Sequence, residues 1–258
     1  MALLAVRIGN DQTILGLLEG MEVVGHWRVS SEERRTPDEW ALLLRGLLGS
    51  MPESRHVDAI ALCSAVPSIQ HTWREMVTAQ FADVPHVFVE PGIRTGIAVR
   101  VDNPREVGAD RIVNAVAALE SVRGPAIVVD FGTATTFDVV NSKGEYVGGA
   151  IAPGIEISLE ALRTRGAQLR KVELRRPRSV IAKNTVEALQ SGMLFGFASQ
   201  VDGMVERIAA ELGVPLSDVS VLATGYLAPL VMAECATFTA HDPWLTLRGL
   251  RAVFDRNM

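Results

Sequence analysis

The sequence predicts an α/β fold in two related halves, and three observations carry that expectation. Short apolar runs alternate with stretches of helical spacing along nearly all of the 258 residues. Hydrophobic residues make up 48% of the chain, enough for a sizeable core and against bulk disorder. Two places also share one local pattern: Val6-Arg7-Ile8-Gly9-Asn10-Asp11-Gln12-Thr13 lines up with Val129-Asp130-Phe131-Gly132-Thr133-Ala134-Thr135-Thr136. Each reads as apolar strand, charged residue, apolar residue, glycine, small polar turn, then a threonine opening a second strand. Each begins a three-strand meander followed by helices. The expectation is an internal duplication, with halves at residues 1–112 and 113–258 facing a cleft.

The elements follow in order. Residues 2–8, 13–18 and 22–29 read as three strands joined by turns at Gly9-Asn10-Asp11 and Glu19-Gly20. Thr36-Pro37-Asp38-Glu39 opens a helix, with Thr36 as N-cap, Pro37 at the first helical position and Glu39 at the third. Residues 57–64 form a buried strand, 68–81 a helix and 86–90 a strand. After Pro104 the spacing from Val107 to Val122 is that of an amphipathic helix. Strands follow at 126–129 and 135–140, with a third beginning near Glu145. Helices at about 155–164 and 185–211, a strand at 219–224 and a helix near 245–256 complete the chain.

Composition narrows the class. The formal net charge of -5 does not predict general affinity for nucleic acid. Cys63 and Cys235 lie in apolar surroundings without zinc or redox spacing, and are expected as buried free thiols. No apolar stretch approaches the roughly 20 residues that span a bilayer. The N-terminus reads as a strand and not as a signal peptide, so a cytoplasmic protein is expected.

Several segments can carry chemistry. Asp130 ends an apolar strand and is followed by Gly-Thr-Ala-Thr-Thr. It can hold a cation beside phosphate-binding amides, or cap its own turn. Asp110 and Arg111 open a helix, where the aspartate suits a general base and the arginine a carboxylate clamp. A solvated first turn is the plainer reading. Gly148-Gly149-Ala150-Ile151-Ala152-Pro153-Gly154 and Ala223-Thr224-Gly225 permit close backbone approach, to a ligand or to another strand. Arg163, Arg165, Arg170, Lys171, Arg175, Arg176 and Arg178 form a cationic stretch, either a solvated face or a grip on phosphates.

In this order the segments Asp102-Asn103-Pro104-Arg105-Glu106-Val107-Gly108-Ala109-Asp110-Arg111, Asp130-Phe131-Gly132-Thr133-Ala134-Thr135, the 148–154 run, Asn184-Thr185-Val186-Glu187 with Gln190-Ser191-Gly192, and Leu245-Thr246-Leu247-Arg248-Gly249-Leu250 resemble type III pantothenate kinase, also known as Bvg accessory factor-like. The resemblance spans nearly the whole chain. It implies the acetate and sugar kinase/Hsp70/actin fold with two ribonuclease-H-like halves, a homodimer, and phosphoryl transfer from ATP to pantothenate, the first step toward coenzyme A. It implies Asp110 as catalytic base and Gly108, Ala109, Asp110 and Arg111, with Thr185, as pantothenate contacts. Gly9, Asn10, Asp11, Thr133 and Gly225 fall to the nucleotide, and Asp130 to a monovalent cation, K+ or NH4+, alongside ATP with Mg2+.

The chain departs from the family pattern at its first loop. Where the family reads Asp-x-Gly-Asn-Thr, this chain has Arg7-Ile8-Gly9-Asn10-Asp11, so the carboxylate that positions magnesium is missing. The internal repeat gives the same contrast, since Arg7 takes the place that Asp130 holds in the second copy. An arginine ligates no cation and repels one nearby. Asp11 can supply a carboxylate from across the turn, but is expected to pair with Arg7 or cap the turn. Val101 stands where the family has an aromatic residue. Tyr226 replaces a glycine and is expected to fill space near the nucleotide. Gly166 and Arg170 depart from the usual threonine and proline. The expectation is a family homologue with impaired catalysis. The alternatives are a working kinase with an unusual metal arrangement, a non-catalytic regulator, and a transcription accessory factor that contacts nucleic acid through 163–178.

Overall fold

The computed structural model describes residues 1–51, 56–165 and 172–258. Their order is β1 (Ala2–Ile8), β2 (Gln12–Glu19), β3 (Glu22–Ser30), α1 (Pro37–Gly49), β4 (Ala59–Ser64), α2 (Pro67–Gln80), β5 (His86–Phe88), β6 (Ala98–Val99), α3 (Ala109–Ser121) and β7 (Ala126–Phe131). Then come β8 (Ala134–Val140), β9 (Glu145–Pro153), α4 (Ile155–Arg165), α5 (Thr185–Leu212), β10 (Ser220–Thr224), α6 (Ala228–Val231), β11 (Ala240–His241) and α7 (Leu245–Asp255). Among the described residues no helix is long and apolar enough to cross a membrane.

The chain divides into two compact units. One comprises Met1–Ile97, Asp102–Glu120 and Trp244–Met258; the other comprises Ala98–Val101 and Ser121–Pro243. A single division after residue 112 therefore does not describe the packing. That point falls inside α3, and the C-terminal α7 returns to the first unit. The reason is steric and polar. Gly249 of α7 sits so close to α3 that a Cβ there would lie 2.2 Å from the Val113 carbonyl oxygen. Thr246 Oγ1 and Asn114 Oδ1, both buried, are 2.7 Å apart.

In the first unit the sheet order is β3-β2-β1-β4-β5, with β1 antiparallel to β2 and parallel to β4. Strand geometry sends alternate side chains to opposite faces. Leu4, Val6 and Ile8 accordingly join Trp40 of α1 and Trp73 of α2 in one apolar core, where the two indoles pack 5.3 Å apart. Arg7 points to the other face. The α1 start is as the sequence expects: Thr36 Oγ1 accepts from the Glu39 amide, and Glu39 accepts from the Thr36 amide at 2.7 Å.

The second unit repeats the arrangement as β11-β10-β7-β8-β9-β6, with β7 antiparallel to β8 and parallel to β10. Ile127, Val129 and Phe131 face a core built from α5, α6 and the start of α4. Asp130 therefore points to the opposite face, as Arg7 does in its own sheet. The two hairpins differ by one residue. Ile8 pairs with Thr13 across Gly9–Gln12, whereas Phe131 pairs with Thr135 across the shorter Gly132–Ala134. Register thus corrects the sequence alignment: Thr135, not Thr136, is the counterpart of Thr13, and both are fully buried. The short strands β6 and β11 and the single-turn α6 carry too few residues for periodicity to show.

Cys63 is buried, as expected, but Cys235 is only half-buried. Burial, with Asp202 and Glu234 adding to it, pushes the Cys235 thiol up to about 12.

Two outcomes follow from this packing. Gly249→Ala should lower unfolding free energy by about 1–3 kcal/mol in urea titrations, the usual range for overpacking. Gly46→Ala, whose Cβ meets nothing within 4 Å, should be neutral or stabilising. At pH 8 the thiolate fraction of Cys235 should be about a thousandfold below that of an ordinary thiol. Native alkylation of Cys235 by iodoacetamide should be correspondingly slow and should recover in urea.

Candidate active site

The first unit brings together two segments that the sequence keeps far apart. β1 delivers Arg7 to the sheet face away from the tryptophan core, two residues before the Gly9-Asn10-Asp11 turn. Gly9 N donates to Gln12 O at 3.0 Å and closes that turn. Asn10 and Asp11 are exposed, and Asp11 O accepts from the Ser31 amide at 3.0 Å. Thr13 Oγ1 and Ser31 Oγ lie 2.9 Å apart just behind.

The second segment is the start of α3. Asn103 caps a short turn at Pro104–Glu106, accepting from the Arg105 amide at 3.3 Å and donating to Glu106 at 2.6 Å. Gly108 then leads into the helix with Ala109, Asp110 and Arg111. Asp110 lies in the first turn, where the helix dipole favours a negative charge. Its Oδ1 accepts from the Arg111 amide at 3.0 Å. Gly108 is required for that posture, because a Cβ there would come within 2.8 Å of the same oxygen.

Arg7 Nη2 lies 3.4 Å from Asp110 Oδ2, and the two side chains are only 14% and 19% exposed. The carboxylate that Arg7 reaches at this distance is the one expected to be the catalytic base. Both carboxylate oxygens of Asp110 thus meet donors from within the chain. Spacing alone does not reveal the contact, because 103 positions separate the partners. The one sequence signal is period-two alternation, which sets Arg7 apart from Val6 and Ile8.

The second unit gathers Asp130, Thr133 and Gly225. Asp130 is 3% exposed and pairs in parallel register with Thr224, which brings the β10 end beside the β7 end. Gly225 follows with φ +91, a conformation that favours glycine. A Cβ at Gly225 would lie 2.5 Å from Phe131 O and 2.7 Å from Asp130 Oδ1. At the β7–β8 turn, Gly132 N donates to Ala134 O and Thr133 O accepts from the Gly154 amide, both at 3.0 Å. A Cβ on Gly154 would sit 2.2 Å from Thr133 O. The small-residue run 148–154 therefore serves close approach of backbone to backbone at its far end.

Tyr226 hydrogen-bonds the Glu156 carboxylate at the start of α4, a partner that sequence reasoning missed. Val101 lies over β9, with its Cγ1 3.7 Å from where a Gly148 Cβ would be. Thr185 is the exposed first residue of α5. Its neighbours are ordered by charge: Asn184 accepts from the Glu187 amide at 2.9 Å, and Arg178 grips Glu187 at 2.6 and 2.9 Å. Arg178, with a smaller contribution from Asn184, holds the Glu187 carboxyl below its usual range.

Three arginines of the cationic stretch are engaged with glutamates of the same unit. Arg163 pairs with Glu160, Arg176 with Glu234, and Arg178 with Glu187. Gly166, Arg170 and Lys171 lie outside the described residues. Among the described residues no group of three or more His, Cys, Asp or Glu is placed to hold a metal ion.

Comparison with known proteins places these segments in one family. The sequence profile of type III pantothenate kinase matches residues 3–207. A type III pantothenate kinase from Nocardioides sp. is 64% identical over 258 residues, covering 100% of both chains. One from Streptomyces avermitilis is 59% identical over 261 residues, covering 99% of this chain and 98% of its own. Among solved structures, the activator of 2-hydroxyisocaproyl-CoA dehydratase from Clostridium difficile superposes with TM-score 0.55 at 13% identity, covering 100% of this chain and 96% of that one. A ROK hexokinase from Thermus thermophilus gives 0.53 at 13% identity, covering 98% and 97%. At 13% identity these likenesses show a shared fold. On the profile match and on identity over its full length, this chain belongs to the type III pantothenate kinase family.

Proposed function

We propose that this chain recognises pantothenate through the α3 start and transfers phosphoryl groups slowly, because Arg7 stands in place of the loop carboxylate that would position the metal. Family membership implies ATP and pantothenate as substrates, with a divalent metal in the chemistry. The observation that carries the reading is the 3.4 Å contact between Arg7 and Asp110. Asp110 is the general base that takes the proton from the pantothenate hydroxyl as the γ-phosphoryl group is transferred. Gly108, Ala109 and Arg111 orient that substrate, with Arg111 offering two-point hydrogen bonds to its carboxylate. Thr185 completes the pantothenate contacts in a homodimer.

On the nucleotide side the proposed contacts are Gly9, Asn10, Asp11, Thr133 and Gly225. A monovalent cation, K+ or NH4+, fits at Asp130. The buried carboxylate there stands beside the Phe131 carbonyl, in a cradle that a Cβ on residue 225 would fill. Bound there, such an ion neutralises charge beside the nucleotide. Mg2+ does not fit beside Arg7 at the β1–β2 turn. The side chain that would have to ligate it is a largely buried guanidinium, and cations repel one another across a few ångströms.

The test is a coupled ATP-turnover assay with pantothenate. The natural chain should turn over far below an ordinary kinase rate. Arg7→Asp should raise the rate by about 10²-fold or more, the scale of one well-placed electrostatic contribution. Asp110→Asn in that background should remove about 10²–10⁴-fold. An ordinary rate from the natural chain would show that Arg7 is no lesion. Calorimetry with pantothenate alone should report binding in both the natural and Arg7→Asp proteins.

The ion pairs of Arg163, Arg176 and Arg178 support the reading of the cationic stretch as a solvated face. Duplex DNA titrated at low and moderate salt should show no steep salt-dependent binding. A steep slope abolished by neutralising Arg175, Arg176 and Arg178 would instead favour a nucleic-acid contact.

A further inference from the structure

Asp110 is an anion already held in place. Arg7 faces one carboxylate oxygen at 3.4 Å, and the Arg111 amide at the start of α3 donates to the other at 3.0 Å. Both charged side chains are largely withdrawn from water, so each needs an opposite charge nearby. The distance nonetheless exceeds the roughly 2.7–2.9 Å of a tight charge-assisted pair. A guanidinium presents its donors as a planar fork that suits phosphate as well as carboxylate. The Gly9 amide at the turn is committed to Gln12 O, and the arginine adds a charged donor at this strand end. Asp11, exposed in the same turn, is the like charge that limits affinity for an anion.

We propose that Arg7 replaces the divalent metal as the cation of the β1–β2 turn and exchanges partners, pairing with Asp110 in the free chain and with the phosphates of a polyphosphate ligand when one binds. The inference rests on the reading of this turn as the loop that meets nucleotide phosphates. Exchange of one anion for another at a fixed guanidinium has two consequences. Polyphosphate binding does not require Mg2+, and the carboxylate of Asp110 competes with the ligand for Arg7. Release of Asp110 is then tied to the arrival of phosphate, so the base is freed only when the phosphoryl donor is present.

The probe is inorganic tripolyphosphate, titrated calorimetrically into the full-length protein in EDTA and again in excess Mg2+. Affinity in EDTA should equal or exceed that in Mg2+. Asp110→Asn, which keeps the shape but removes the competing charge, should tighten binding by about tenfold in EDTA, the low end of allosteric and competitive coupling in proteins. In the Arg7→Gln background the same change should alter affinity less than about twofold. Arg7→Lys keeps the charge and should retain metal-independent binding, so the inference stays testable if Arg7→Gln does not fold. Binding that appears only with Mg2+ would overturn it. So would an Asp110→Asn effect of equal size in both backgrounds, or no binding by either the natural chain or Asp110→Asn. Pantothenate titrated in the same buffers separates the two readings. Pantothenate binding beside Mg2+-dependent tripolyphosphate binding overturns this inference and leaves the substrate assignment standing. Coupled, metal-independent tripolyphosphate binding without pantothenate binding supports this inference and removes the substrate assignment.

Discussion

The alternation of side chains along β1 governs the chemistry of the first unit. Val6 and Ile8 are taken up by the core around Trp40 and Trp73, which leaves Arg7 no choice but the opposite face. On that face α3 is anchored by α7 through the Gly249–Val113 contact and the Thr246–Asn114 hydrogen bond. A charge delivered there by the strand meets the first turn of α3, and the side chain it meets is Asp110. Packing on one side of the sheet thus decides which charge faces the candidate base on the other.

The duplication makes this placement informative. Both units put a charged residue next to last in the strand that pairs antiparallel with one neighbour and parallel with the other. In the second unit that residue is Asp130, buried beside the close approach of Gly225. In the first it is Arg7, and the charge is reversed. The same backbone therefore supports a cation-attracting end in one unit and a built-in cation in the other. Identity of 64% to a type III pantothenate kinase extends over the whole chain.

Much of this was legible in the residues. The Thr36 capping box, the strand–turn–strand meanders and the α3 start stand where local patterning puts them, because such signals depend on neighbours in the chain. Grouping Asp130 with Gly225 needs the parallel pairing of β7 and β10, which periodicity does not encode. The alignment of the two copies slipped by one residue because turn length is set by hydrogen-bond register and not by composition. The Arg7–Asp110 contact was illegible for a stronger reason. Its partners lie on elements far apart in the chain that fold into one unit with α7, from the far end of the chain. Tyr226 likewise found a partner in Glu156 that no motif announces.

The central claim is that Arg7 and Asp110 interact energetically in the folded chain. A double-mutant cycle on urea unfolding, with Arg7→Gln, Asp110→Asn and the double variant, measures that interaction directly. The account predicts a favourable coupling of about 1 kcal/mol, on the scale found for ion pairs and neighbouring groups. Additivity of the two single changes within about 0.3 kcal/mol would contradict it.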